Sequence, residues 1–225
     1  MKRLGVLYSG GKDSTLSLFY ARNFCNVKCL ITLVSKNPFS YMFHTPNIEL
    51  VALHAKAMKI PITMKKTKGK KEEELKDLKR AIVETVDKYK INGIVSGALA
   101  SVYQASRIQR ICNELKLECF NPLWQKDQLE LLNDIVRLRF NVIITGVFVQ
   151  GLSEFLGKEI NETFIEKVKK LQKEYKINPA GEGGEFETFV LDTPFFKKRI
   201  KVVSSHIKNQ EVFIINKAVL VDKNE

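Results

Sequence analysis

The sequence predicts an α/β protein, with a parallel sheet flanked by helices and a smaller α+β domain after it. In the first half of the chain, short apolar runs alternate with segments whose apolar residues recur at helical spacing, the pattern of successive βαβ units. After Pro122-Leu123-Trp124 this alternation stops, and extended segments dominate the end of the chain. We therefore expect two domains, residues 1–125 and residues 126–225.

The first domain is expected to contain four strands, each followed by a helix. The strands are predicted at residues 4–8, 28–34, 60–64 and 91–96, and the helices at 14–22, 47–58, 72–89 and 101–116. Parallel strands joined in this way bind ligands at their carboxyl ends. The loops after residues 8, 34 and 96 should therefore border one pocket.

The second domain is expected to mix helices with antiparallel strands. Helices are predicted at 127–138 and 161–175, a strand at 140–149, and extended segments at 186–192, 199–204 and 211–221. The stretch HIKNQE lies between the last two segments, and we expect it to turn a hairpin there.

The composition favours a cytoplasmic globular protein with anionic partners. The 37 Lys and Arg residues exceed the 25 Asp and Glu residues, which gives a formal net charge of +12. Such an excess favours nucleotides, RNA or an acidic protein surface as partners. It is also typical of Lys- and Glu-rich proteins from hot environments, so the two interpretations stay open. No apolar run approaches the roughly 20 residues of a membrane span, and no signal-peptide pattern is present.

The four cysteines do not suggest metal or redox chemistry. Cys25, Cys29, Cys112 and Cys119 form no C-x-x-C pair. Zinc binding and dithiol exchange are therefore not expected, and reduced packing residues are.

The motif SGGKDS, residues 9–14, ends the first predicted strand and starts the first helix. Its two glycines let the backbone approach an anion closely, and the helix start directs N–H groups and a positive dipole end to the same point. Lys12 adds a positive charge. Asp13 would repel phosphate unless a cation stood between them, so it is the predicted Mg²⁺ contact. The spacing of the Walker A loop is absent.

This motif resembles the SGG-x-DS loop of the ATP pyrophosphatase superfamily. Those enzymes bind ATP on a Rossmann-like sheet, cleave it between the α- and β-phosphates and transfer an adenylyl group. The resemblance implies a Rossmann-like fold for the first domain and ATP as the nucleotide. The implied ATP-binding residues are Ser9, Gly10, Gly11, Lys12, Asp13 and Ser14, with Ser96 and Gly97 at the end of the fourth strand.

A second motif, GEGGEFET at residues 181–188, interleaves glycines with three carboxylates. Closely spaced glycines allow a tight backbone turn, and Glu182, Glu185 and Glu187 can face it. Such acids can hold an ammonium ion, take a proton from it or bind another cationic group. From composition alone, a glycine turn with solvated acids explains the stretch equally well.

The GEGGEFET stretch resembles, almost letter for letter, a segment of the diphthine–ammonia ligases. Three further stretches are similar to that family: SYMFHTPNIEL at 40–50, SGALASVYQASRIQRICNELKLECFNPLW at 96–124 and LSEFLGKEIN at 152–161. The match runs in order through nearly the whole chain, at the two-domain length of the archaeal type.

The resemblance implies a ligase reaction. ATP, ammonia and the diphthine of elongation factor 2 would give diphthamide, AMP and pyrophosphate through an acyl-adenylate, with Mg²⁺ assisting. The Gly10-Gly11-Lys12 turn can stabilise charge on the departing pyrophosphate. Because no glutaminase signature is visible, free ammonia is the expected nitrogen source. No nucleic acid is an expected substrate, and the sequence leaves open whether the chain forms a homo-oligomer.

The family match also implies roles for individual residues. The implied catalytic residues are Lys12, Asp13, Glu182, Glu185 and Glu187. The implied substrate-binding residues are His44, Thr45, Asn47, Tyr103, Gln104, Arg107, Gly183, Gly184 and Thr188.

Several of these residues also have structural explanations. Thr45 or Asn47 could cap the next helix, and Arg107 could lie on an ordinary exposed helix face. His54 is expected on the surface or in the packing, and Trp124 in the core or at a domain interface.

Two rival functions remain at this level. A tRNA-modifying enzyme would keep the ATP site and explain the positive charge, although thiolation usually recruits cysteines, and no suitable pair is present. A nucleotide-binding sensor without chemistry is the second rival, against which the complete SGGKDS loop and the three carboxylates argue.

Overall fold

The computed structural model describes residues 1–37, 46–70 and 72–223, and two sheets organise this part of the chain. The first sheet is wholly parallel, in the order β3-β2-β1-β4-β5. Its strands are β1 (Arg3–Leu7), β2 (Asn26–Ser35), β3 (Ile62–Thr67), β4 (Gly93–Val95) and β5 (Glu118–Phe120). The helices that accompany it are α1 (Lys12–Ala21), α2 (Val51–Met58), α3 (Glu73–Tyr89) and α4 (Val102–Glu114).

The strand order places a binding crevice beside β1. Strands β2 and β3 lie on one side of β1, and β4 and β5 on the other, so the order switches between β1 and β4. Loops that leave a switch point diverge and open a crevice at the carboxyl ends of the strands. Here the loop after β4 packs closely on the start of α1, because a Cβ on Gly97 would lie 3.0 Å from the Ser14 nitrogen.

The second sheet is antiparallel, in the order β7-β6-β9-β8. Its elements, with the helices around it, are α5 (Gln128–Arg137), β6 (Asn141–Val147), α6 (Glu162–Tyr175), β7 (Phe186–Asp192), β8 (Arg199–Lys208) and β9 (Val212–Val221). The predicted hairpin is confirmed: Asn209 and Gln210, with φ of 51° and 59°, turn the chain between β8 and β9. Positive φ at both positions is typical of the tight turns that match the twist of paired strands.

The predicted fold class is confirmed, with differences in single elements. Strand β5 was not predicted, because it has only three residues and none of them is buried. The predicted helix at 47–58 is divided into a 3-10 turn, Ile48–Leu50, and α2. The predicted strand at 60–64 begins after Pro61 and extends to Thr67.

One hydrophobic cluster links the two sheets. It includes Leu16 of α1, Leu131 of α5, Phe164 of α6 and Phe189 of β7, all fully buried. A smaller cluster lies where α3 and α4 cover the first sheet. This larger cluster contains residues from both sides of residue 125. The division of the chain into two domains at that residue stays a prediction.

Two further sequence expectations concern cysteines and membranes. The four cysteines form no disulfide; three are buried and Cys119 is half-buried. Within the described ranges, no helix has the length and apolar character that crossing a bilayer requires.

Candidate active site

The SGGKDS loop, residues 9–14, connects β1 to α1 and is held by the protein on several sides. Gly10 has a φ of +81°, and a Cβ there would lie 2.8 Å from Val51 Cγ1 and 2.9 Å from His54 Cε1. Both the backbone conformation and the space therefore require glycine. Gly11 is the N-cap of α1 and has no side chain to cap the helix start.

The carbonyl oxygens of the two glycines both accept hydrogen bonds from other groups of the protein. The Gly10 carbonyl accepts the Val190 N–H at 2.9 Å, and the Gly11 carbonyl accepts the Thr15 hydroxyl at 2.8 Å and the Ser14 hydroxyl at 3.1 Å. An anion bound in this loop would be repelled by a free carbonyl oxygen. Because both carbonyls are engaged, the loop presents the N-terminus of α1 to an anion instead.

Lys12 and Asp13 form an ion pair inside the loop. The Lys12 side chain is only 4% exposed, its Nζ lies 2.8 Å from Asp13 Oδ2, and it also lies over the Phe186 ring. The other carboxylate oxygen, Asp13 Oδ1, is buried and has no hydrogen-bond partner. A buried carboxylate oxygen without a partner fits a divalent cation. Within the described residues no three acidic, His or Cys side chains converge on a common metal position.

A cavity of about 640 Å³ brings the two sequence motifs together. This volume lies within the usual range for a small-molecule site. Part of the lining is apolar, namely Leu7, Ile31, Leu33, Leu78 and Ile108, which pack together where α3 and α4 cover the first sheet. The lining also includes residues of the two motifs, namely Ser9, Gly11, Lys12, Asp13, Ser14, Gly181, Glu182, Gly183, Gly184, Phe186, Glu187 and Thr188.

Two carboxylates of the second motif have environments that favour their protonated forms. Burial raises the pKa of Glu187 to about 7, a rise that the positive charge of Lys12 limits and the negative charge of Asp13 reinforces. Burial also raises the pKa of Glu182, and Asp13 adds to that rise. The Glu182 carboxylate accepts the Ala100 N–H at 3.2 Å. A carboxylate whose pKa lies near 7 can exchange a proton at neutral pH.

Comparison with known protein families shows the family to which the chain belongs. Residues 1–119 match the family model of the diphthamide synthase N-terminal domain, and residues 127–221 match that of its C-terminal domain. The chain belongs to the diphthamide synthase family.

Three relatives illustrate the similarity, each named diphthine–ammonia ligase. The Schizosaccharomyces pombe protein is 33% identical, and the alignment covers 100% of this chain but 40% of that protein. The Mus musculus protein is 31% identical over 90% of this chain and 84% of its own length. The Homo sapiens protein is 30% identical, with 91% and 84% covered.

A solved structure gives a weaker likeness. It is described as a predicted subunit of tRNA methyltransferase from Methanocaldococcus jannaschii, and is 20% identical over 86% of this chain and 98% of that one. Its TM-score of 0.45 is too low to bear on function.

The remaining acid of the second motif lies differently in this diphthamide synthase family member. Glu185 accepts hydrogen bonds from the Asn178 N–H at 2.7 Å, from Asn178 Nδ2 at 2.9 Å and from the Gly183 N–H at 2.8 Å. These bonds shape the GEGGEFET loop itself. A catalytic role for Glu185 stays a prediction, and its contacts are those of a residue that organises the loop.

Most of the predicted residues outside the acids line the cavity. Ser96, Gly97, Tyr103 and Gln104 do so, as do the exposed glycines of the second motif. Thr188 is buried, and its hydroxyl accepts the Lys12 N–H at 3.1 Å. The side chain of this predicted substrate-binding residue therefore contacts the SGGKDS loop.

Arg107 and Asn47 make other contacts in this structure. The Arg107 guanidinium stacks 3.5 Å from the centre of the Tyr103 ring, and its Nη2 lies 2.6 Å from Glu72 Oε1. Asn47 accepts the Ile215 N–H at 2.7 Å and donates to the Phe213 carbonyl at 3.0 Å, so it ties its loop to β9. Their predicted roles in substrate binding stay predictions. His44 and Thr45 lie outside the described residues.

His54 is the residue whose importance the sequence least indicated. It was expected on the surface or in the packing, and it is fully buried in α2. Its Nε2 lies 2.6 Å from the Val190 carbonyl, and its Nδ1 lies 3.1 Å from the Tyr8 hydroxyl. Both partners are distant along the chain, so no local pattern could have revealed these contacts. Trp124 is 37% exposed, so it does not lie in the core. Its expected position at a domain interface stays a prediction.

Proposed function

We propose that this cavity forms the amide of diphthamide on elongation factor 2 from diphthine, ammonia and ATP. The observation that carries the proposal is that the start of α1 and two carboxylates of the second motif, Glu182 and Glu187, line one cavity. Family membership supports the same reaction, since the relatives are named diphthine–ammonia ligase. The chain therefore acts as an AMP-forming carboxylate–ammonia ligase.

ATP binds along the length of the cavity. The apolar part of the cavity lining, where α3 and α4 cover the first sheet, suits the adenine ring, because this ring is flat and mostly apolar. The phosphates then lie at the SGGKDS loop, where each hydrogen bond to a charged oxygen contributes roughly 1.5–3 kcal/mol. This orientation directs the α-phosphate toward the GEGGEFET loop.

The first chemical step activates the carboxylate. A carboxylate oxygen of diphthine attacks the α-phosphorus of ATP, the bond from that phosphorus to the bridging oxygen breaks, and pyrophosphate leaves. Negative charge accumulates on the departing group. The buried ammonium of Lys12 and the N-terminus of α1 stabilise that charge without reorganising, because both are already in place.

Asp13 would hold a magnesium ion through its unpartnered oxygen Oδ1. When bound, the ion would neutralise charge on the phosphates, and their oxygens would supply most of its remaining ligands. Lys12 keeps Asp13 in position by pairing with the other carboxylate oxygen.

The second step forms the amide. Ammonia attacks the carbonyl carbon of the acyl-adenylate, and AMP leaves as the carbon–oxygen bond breaks. Ammonium must first lose a proton, and Glu187 is suited to accept it because burial raises the pKa of this carboxyl to about 7. The attacking nitrogen loses a further proton as the amide forms, and Glu182, which lines the same cavity, can accept it. Because elongation factors work on ribosomes, we assign the reaction to the cytoplasm.

The test is an omission experiment with the full chain. We expect AMP and pyrophosphate only when ATP, ammonium and diphthine-bearing elongation factor 2 are all present, with the mass change on the factor that replacing OH by NH2 produces. ATP turnover that ignores the factor and responds to tRNA would contradict the ligase function and support the tRNA-modifying alternative. Binding of ATP without turnover in any combination would support the sensor.

A further inference from the structure

Two residues of β7, Thr188 and Val190, form hydrogen bonds with the backbone of the SGGKDS loop. The Thr188 hydroxyl accepts the N–H of Lys12, the first residue of α1, at 3.1 Å. Two residues further along β7, the Val190 N–H donates to the Gly10 carbonyl at 2.9 Å. A side-chain oxygen that accepts an N–H of the first helical turn acts as an N-cap, and here it comes from a residue 176 positions away.

His54 contacts the same residue of β7, Val190. Burial lowers the pKa of its imidazole to about 4, so the ring is neutral. Nε2 carries the proton and donates to the Val190 carbonyl, 2.6 Å away, which leaves Nδ1 to accept from the Tyr8 hydroxyl. The ring also stacks on Phe189, with 4.6 Å between ring centres.

The Tyr8 hydroxyl also contacts Thr15 at the start of α1. The two hydroxyl oxygens lie 3.0 Å apart, and the Thr15 hydroxyl donates its proton to the Gly11 carbonyl at 2.8 Å. Gly11 lies between Gly10 and Lys12, the residues that β7 contacts. The peptide between Gly10 and Gly11 and the peptide between Gly11 and Lys12 are therefore both held by β7, through Val190 and Thr188.

We propose that Thr188 and His54 are positioning residues for ATP, which orient the SGGKDS loop without donating to the nucleotide themselves. The inference rests on the proposed binding of ATP by this loop. Thr188 fixes the Lys12 peptide, and His54 fixes the strand that holds the Gly10 carbonyl away from the phosphates. Without them the N-terminus of α1 is no longer aligned with the anion, and a small displacement of such donors weakens binding strongly.

The primary test compares two substitutions at Thr188 in the full chain. Thr188→Val keeps the shape and removes the hydroxyl, whereas Thr188→Ser keeps the hydroxyl. The probe is α,β-methylene-ATP with Mg²⁺, which cannot be cleaved between the α- and β-phosphates, and its Kd is measured by calorimetry. We expect Thr188→Val to raise the Kd about tenfold, the equivalent of about 1.4 kcal/mol, and Thr188→Ser to restore binding to within about threefold of the unsubstituted chain.

A matched control separates positioning from general stability. Thr85 is also fully buried, and its hydroxyl bonds the Ala81 carbonyl of its own helix at 2.6 Å, away from the cavity. Thr85→Val should lower the unfolding temperature as Thr188→Val does and leave the Kd unchanged. His54→Phe keeps the stacked ring and removes both hydrogen bonds, and it should raise the Kd in the same direction as Thr188→Val.

The outcomes distinguish the inference from the function on which it rests. If the unsubstituted chain binds the probe and the folded Thr188→Val and His54→Phe variants bind it equally well, the positioning role is wrong and the ATP site stands. If Thr188→Ser is as weak as Thr188→Val, the hydroxyl is not what orients the loop, and the inference fails. If the unsubstituted chain does not bind the probe, the proposed function fails first.

Discussion

The two glycine-rich loops of the cavity differ in how the protein holds them. In the SGGKDS loop both glycines, Lys12 and Ser14 are buried, and hydrogen bonds from distant elements engage the backbone. In the GEGGEFET loop Gly183 and Gly184 are exposed, and the main contacts are those of Glu185 within the loop. A loop held from all sides suits a ligand of constant shape such as a nucleotide. A loop open to solvent leaves room for a residue on the surface of a large protein.

The same contrast appears at single glycines. Gly10 and Gly184 both have positive φ, +81° and +87°. A Cβ at Gly10 would lie within 3 Å of two side chains, whereas a Cβ at Gly184 would have nothing within 4 Å. The two positions share the backbone requirement and differ only in their surroundings, so substitutions there measure the difference between the loops.

The largest effect is expected from the buried charge of the SGGKDS loop. Lys12→Met should reduce kcat/KM for AMP formation by about 100- to 1000-fold, because the substitution removes the preorganised charge that stabilises the leaving pyrophosphate. Lys201→Met, at an exposed position of β8, is the control and should retain full activity. A loss below about tenfold for Lys12→Met would show that the held loop is not the catalytic one.

The paired glycines should separate the two loops by stability. Gly10→Ala should lower the free energy of unfolding by about 3–4 kcal/mol, the sum of backbone strain and overpacking. Gly184→Ala should lower it by only about 1–2 kcal/mol, because the strain is the same and the space is free. Chemical denaturation measures both values. Equal losses would contradict the contrast between a crowded loop and an open one.

Glu187 of the second motif should make the stability of the protein depend on pH. Burial raises the pKa of Glu187 from 4.5 to about 7, so folding favours the protonated form. The stability that this form contributes is complete below the unfolded pKa and is lost as the pH rises through the folded one. In the absence of nucleotide, the Glu187→Gln variant should therefore have the same unfolding temperature as the unsubstituted chain at about pH 4.5. At about pH 8 the unfolding temperature of the variant should be higher. Equal unfolding temperatures of the two proteins at about pH 8 would contradict the buried environment of this carboxyl.

The smallest effect is expected at the rim of the cavity. Arg107 pairs with Glu72 near the surface, where solvent screens the interaction. Arg107→Gln should therefore change the Kd for ATP by less than about twofold. If Arg107 binds the substrate, as the family resemblance implies, the KM for elongation factor 2 should rise while the Kd for ATP stays the same. An unchanged KM would leave Arg107 as part of an ordinary helix surface.

The sequence was sufficient for the parts of the molecule whose determinants are local. The alternation of strands and helices predicted the first sheet, and the two motifs that the sequence singled out as candidate site segments line one cavity. Both motifs carry their requirements in consecutive residues, since glycine, lysine and carboxylate each have a direct chemical reason to be there.

The parts that escaped prediction depend on contacts between distant residues. Strand β5 has no apolar alternation of its own and is a strand because β4 pairs with it. His54 lies in an ordinary amphipathic stretch, and only the folded chain brings Tyr8 and Val190 to its two nitrogens. The contact between the Thr188 hydroxyl and Lys12 could not be predicted, because nothing in the sequence places the start of α1 beside Thr188. The substrate-binding role that the family resemblance implies for Thr188 stays a prediction.

The bond between Lys12 and Thr188 also has a consequence for how the protein is made. Lys12 is synthesised by the ribosome 176 residues before Thr188. A nascent chain whose β7 has not yet emerged from the ribosome lacks the cap of α1 and the donor to Gly10. The SGGKDS loop therefore reaches its final geometry only after β7 has emerged.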